Sequence, residues 1–343
     1  MKTITVFCIF VSIGTSFLPL YADSGQASIA RLKNTFRSYT LSLHPQFGML
    51  WGQAEEQVYQ DEDSEGLISQ LLWDIKPLWY TGITMEFSQK DPTGEPGVFG
   101  VLSTKFGIPA ISGIMEDRDW LASGGKLSNY SRHDNVTNGG IMLDLATGLS
   151  IPAWGFMTIR FFFGLSYTYF SWSAYDGYYR YGKTTGGTYP VYMPLTDSDP
   201  AVPMSGAVIS YSQEWLLLPL GLRISIFPNR LFSGVLYCSA GPVILFSGRD
   251  NHYLRINTAY YSQFADETGG GYILESGGEF RFSPLEKFSL LLCASWRNIT
   301  TTPHAKSFGR YAGNGNWNWD FLGNVAGGRF QSLDLGIGLE VRF

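Results

Sequence analysis

The sequence predicts an all-β chain, a ten-stranded antiparallel transmembrane β-barrel with both termini periplasmic and long extracellular loops. Three observations carry this prediction. The chain ends in a strictly alternating segment, strand-like runs between turn signals number ten, and rings and glycines are abundant without uniform hydrophobicity. Aromatic residues make up 16% of the chain and glycines number 40, while mean hydropathy is −0.01. Such a balance suits segments that face lipid on one side and water on the other.

The C-terminal segment "SLDLGIGLEVRF" places Leu333, Leu335, Ile337, Leu339, Val341 and Phe343 on one strand face, with Asp334, Gly336, Gly338, Glu340 and Arg342 on the other. Its length is what a tilted strand needs to cross a bilayer. Lipid admits such strands only in a closed ring, because an open sheet edge leaves backbone groups unsatisfied. The runs fall at 38–60, 67–88, 97–115, 136–150, 155–174, 206–226, 231–249, 270–283, 287–301 and 328–343. An even count returns both termini to one side. Longer polar connections (61–66, 116–135, 175–205, 250–269 and 302–327) alternate with short ones such as "PAWG", "FPNR" and "SPLEK". The long set is expected outside and the short set in the periplasm.

Ahead of these runs, residues 1–22 open with Lys2, continue through an apolar stretch and end on Ala22, the layout of a cleavable secretory signal. Cys8 lies inside that segment without the box of a lipoprotein. Residues 23–343 then form a single outer-membrane domain. Only Cys238 and Cys293 remain in it, too few for a disulfide scaffold. The net charge of −5 and the lack of a basic patch exclude nucleic acid as a partner.

Two polar clusters interrupt the apolar runs. "MEDRDW" follows the third run and "GRDNHY" ends the seventh, at rims that face each other across a ring of ten. Spacing two puts Asp117 with Asp119 on one face, and Asp250 with His252 on another. Asp250 can orient the imidazole of His252 and stabilise its charged form, leaving the other nitrogen to take a proton from water. The aspartate pair can hold that water, so neither a nucleophilic Ser nor a reactive Cys is needed. Solvated loop residues are the plainer reading of the same letters. Two aspartates and one His lack the usual zinc ligand set; His44 and His133 are the remaining candidates to complete one, and His304 lies in another loop.

The chain resembles the omptins, ten-stranded outer-membrane proteases of Gram-negative bacteria. The likeness is strongest in "GQAEEQVY" with "ISQLLWDIK", in "MEDRDW" followed by "SRHD", and in "DNHY". The resemblance implies an endopeptidase in which Asp117 and Asp119 form one catalytic pair, Asp250 and His252 the other, with water between them. It implies peptide or protein substrates, a preference for basic residues through Glu56, a monomeric barrel, no metal or other cofactor, and lipopolysaccharide or another outer-membrane lipid as activator. Gly248 and Asn129 stand where the family carries further acids, which implies weaker or altered selectivity for paired basic residues. The ring-rich stretch "GLSYTYFSWSAYDGYYRYG" does not show the family's lipid-holding pattern. A catalytically silent barrel acting as an adhesin is the alternative, and a diffusion porin ranks behind it because ten strands leave a narrow lumen.

Overall fold

The structure, a computed structural model, describes residues 39–60, 66–89, 96–186, 191–255, 261–301, 305–310 and 319–343. The expected signal over 1–22, the start of the domain expected at 23, and His304 lie outside the described residues. The strands are β1 (Tyr39–Tyr59), β2 (Leu67–Gln89), β3 (Gly97–Gly107), β4 (Ala110–Asp119), β5 (Asn129–Trp154), β6 (Met157–Tyr181), β7 (Val202–Pro203) and β8 (Ala207–Leu217). They continue with β9 (Leu220–Ile226), β10 (Phe232–His252), β11 (Gln263–Thr268), β12 (Gly271–Leu285), β13 (Phe288–Thr301), β14 (Ala305–Arg310) and β15 (Asp320–Arg342).

Four pairs share neighbours and act as single staves: β3 with β4, β8 with β9, β11 with β12, and β13 with β14. The sheet therefore has ten positions, as the sequence predicts. Its ring closes where β1 pairs antiparallel with β15, Met49 opposite Leu335 and Trp51 opposite Leu333. Closure leaves no open edge to desolvate.

The outer surface shows where lipid ends. On β15 the apolar face runs from Leu333 to Phe343, with Ile337 59% and Phe343 67% exposed. On β1 the same face passes from Phe47, Met49 and Trp51 to Gln53, Glu55 and Gln57. Trp51 and Trp296 both lie opposite Leu333, so the three mark one rim. Rings at a band edge match the girdle of an outer-membrane barrel. We call the end bearing Phe343 lower; everything past Trp51 stands above the apolar band.

Inside, three layers follow one another up the strands. The lower lumen holds matched charges: Arg297 pairs Asp144 at 3.1 Å and Glu275 at 3.0 Å, and Arg281 pairs Glu340 at 3.1 Å. Arg160 pairs Glu86 at 2.5 Å, Arg223 pairs Glu279 at 3.2 Å, and Lys105 pairs Asp334. Above them rings fill the bore. Trp73 stacks on Tyr211 at 5.7 Å, Phe170 on Phe330 at 4.9 Å, and Trp215 contacts Phe246 at 4.4 Å. All six are buried, giving the chain a packed core inside its ring.

Several strands run further up than the sequence predicts. β5 begins at Asn129 and β6 continues to Tyr181, although 116–135 and 175–205 read as loops. β11 likewise occupies part of 250–269. Above the lipid both strand faces meet polar surroundings, so the period-two signal fades while the hydrogen-bond ladder continues.

Candidate active site

Two bulges aim the polar clusters. In β4 the pairing with β5 slips between Ile111 and Ile114, and Gly113 takes φ +83°, a backbone region open chiefly to glycine. Ser112 and Met115 are both fully buried although three residues apart, which strict alternation forbids. The extra residue reverses the parity, so Met115, Asp117 and Asp119 share the inward face. In β10 the pairing with β8 slips between Val243 and Leu245. Ile244 and Leu245 are consecutive and both outward, 43% and 44% exposed, while Val243 and Phe246 are buried. Without that step Asp250 and His252 would face outward.

The imidazole Nε2–H of His252 donates to Asp250 Oδ2 at 2.8 Å. This contact fixes the ring and leaves Nδ1 as the proton acceptor. Phe264 meets the ring edge-on at 5.3 Å between centroids, and the amide of His252 is tied to the carbonyl of Ser262 at 2.7 Å. Asp250 is 4% exposed, and its Oδ1 has no hydrogen-bond partner. On the other strand, Asn129 Nδ2 donates to Asp119 Oδ2 at 3.2 Å.

Glu56 links the two clusters. It is 4% exposed on the inward face of β1, above the apolar band. Burial first, then the charges of Asp250 and Asp266, a hydrogen bond to Asp266 and the charge of Asp117, push its carboxyl well above the usual glutamate range. Carboxylates from β1, β4, β10 and β11 thus act on one space above the ring layer.

Asp266 and a Ser–His pair escape sequence reasoning. Asp266 falls in a segment read as loop; only its place opposite Gly248 in the β10–β11 ladder reveals it. Ser131 lies across from Asp117 and hydrogen-bonds His133 Nε2 at 2.8 Å. The carbonyl of Asp176 can only accept, so His133 Nδ1 carries the proton and Nε2 receives the Ser131 hydroxyl. Burial depresses the pKa of His133, against the raising effects of the Asp176 carbonyl and the Asp134 charge. The period of two in "SRHD" carries the signal for this pair. Among the described residues no group of His, Cys, Asp or Glu is arranged to hold a metal ion.

Comparison with known proteins agrees with the ring. The model of the omptin family matches residues 37–343. The outer membrane protease OmpT from Escherichia coli is similar with a TM-score of 0.73 at 18% identity, over 89% of this chain and 97% of that one. A major outer membrane protein from Thermus thermophilus gives a TM-score of 0.32 at 12% identity, over 89% and 99% of the two chains. That weaker likeness carries no argument. No curated protein sequence matches the chain. With a ring of ten antiparallel strands and a family match across nearly its whole length, this outer-membrane chain belongs to the omptin family of proteases.

Proposed function

We propose that the chain is an endopeptidase of the outer membrane whose nucleophile is a water held between Asp117 with Asp119 and His252 with Asp250. The observation that carries this reading is the His252–Asp250 contact at 2.8 Å, with Asp250 buried and one of its oxygens unpartnered. Nδ1 of His252 takes a proton as water attacks the peptide carbonyl, and Asp250 stabilises the imidazolium that forms. The same proton then passes to the departing amine. Asp117 and Asp119, backed by the Ser131–His133 pair, hold the water from the opposite strand. The ring layer beneath closes the lumen, so the chemistry faces one side of the barrel.

With both termini periplasmic and the site at the far end, that side is the cell exterior. Glu56 supplies preference for a basic residue beside the cleaved bond. An outer-membrane lipid such as lipopolysaccharide is the proposed activator, and the barrel works as a monomer. The test is to refold the domain in detergent with and without lipopolysaccharide and screen peptide libraries against Asp117→Asn and His252→Ala. His252→Ala should lower kcat roughly 10²- to 10⁴-fold, the usual worth of a general base. Undiminished cleavage in both variants would overturn the mechanism, and no cleavage with any lipid would favour a binding surface.

A further inference from the structure

We propose that Asp266 and Glu56 together form the pocket for one basic substrate side chain, with Asp266 providing from β11 the acid that Gly248 lacks on β10. This rests on the protease reading and names the residue that sets its specificity. Gly248 sits directly opposite Asp266 in the β10–β11 ladder and opposite Gln213 in the β8–β10 ladder. Side chains at such positions share a sheet face. A Cβ on Gly248 would lie 3.1 Å from both the Tyr211 hydroxyl and Cζ of Phe246. The ring layer therefore crowds that position, and an acid reaches the same space from the next strand instead.

The surroundings of Glu56 point to a cation brought by the substrate. The matched acids of the lower lumen pair with Arg or Lys of the chain, as Glu86 does with Arg160 and Glu340 with Arg281. Glu56 forms no ion pair among the described residues, its Oε2 has no hydrogen-bond partner, and Asp250 pairs with His252 alone. A buried acid with an unfilled acceptor is costly unless a ligand completes it. Among the described residues no group of His, Cys, Asp or Glu there is arranged to hold a metal ion. A guanidinium suits the pocket, because its planar fork can meet two carboxylates at once.

In the empty pocket a proton shared between Glu56 and Asp266 takes the place of the cation. Asp117 on β4, Asp250 on β10 and Asp266 on β11 act on Glu56 there, Tyr211 on β8 meets the same charges, and His252 stands beside Asp250. A bound cation expels that proton, so affinity rises with pH while Glu56 remains protonated in the empty state.

Calorimetry of the refolded wild type with butylguanidine, and with its neutral isostere butylurea, tests the pocket without any cleavage. Butylguanidine should bind at least tenfold more tightly than butylurea and release protons to buffer. Asp266→Asn and Glu56→Gln should each erase most of that difference, with circular dichroism confirming the β-barrel. In peptide cleavage, Asp266→Asn should reduce the ratio of kcat/KM for an Arg peptide over its citrulline counterpart by at least tenfold. Equal binding of the two compounds by the wild type, or an unchanged difference in Asp266→Asn, overturns the pocket and leaves the protease reading standing. Selective binding without cleavage would instead sink the protease reading alone.

Discussion

The barrel buries acids in two regions and treats them differently. In the lower lumen Arg297 reaches both Asp144 and Glu275, so charge is settled within the chain. Above the ring layer Glu56 forms no ion pair among the described residues, and Asp250 pairs with His252. The lower set serves the ring's integrity in a medium that punishes unpaired charge. In the proposed function the upper set takes its counter-charge from a substrate cation, and its water gives up a proton to His252. Similar side chains thus do structural or chemical work according to whether their counter-charge comes from the chain.

The largest break in this contrast is expected from the backbone. Deleting Gly113 removes the bulge in β4 and should turn Asp117 and Asp119 to the outer face. Cleavage should fall by about a thousandfold or more, while circular dichroism still reports a barrel. A peptide assay showing near-normal turnover would mean that another device aims the pair. In the lower region, Arg297→Met strands two acids and should cost about 3–5 kcal/mol in urea unfolding. A loss no larger than that of a surface substitution would remove the structural role given to this network.

The smallest effect concerns pH. Glu56 has a raised pKa in the folded state, so its contribution to stability is complete below the ordinary glutamate value of 4.5 and is lost as pH rises through the folded value. Glu56→Gln should match the wild type in acid and become the more stable of the two as pH rises, by about 1 kcal/mol or more. A constant gap in Tm across a pH series from acid to mildly alkaline would contradict the shift.

Much of the ring was legible because lipid imposes a simple code. Leu333 to Phe343 alternate without a break, and the matching faces of β13 and β1 lie beside them in register. The proposed site residues stood out in the sequence, Asp117, Asp119, Asp250 and His252 from spacing together with family likeness and Glu56 from family likeness alone. Their inward direction did not. "FGIPAISGIMEDRD" read at strict period two gives no account of the step at Gly113, since a bulge answers to the partner strand and not to the local alphabet. Asp266 stayed hidden for the same reason: its importance exists only opposite Gly248.

The sequence by itself determined the all-β class and the segments that face lipid, because each depends on local alternation under a uniform solvent, and with family likeness it gave the ten positions of the ring. Tertiary structure alone decided which way the acids point, which of them find a base, and that Asp266 joins Glu56. Those outcomes depend on register between strands far apart in the chain, where one extra residue reverses a face.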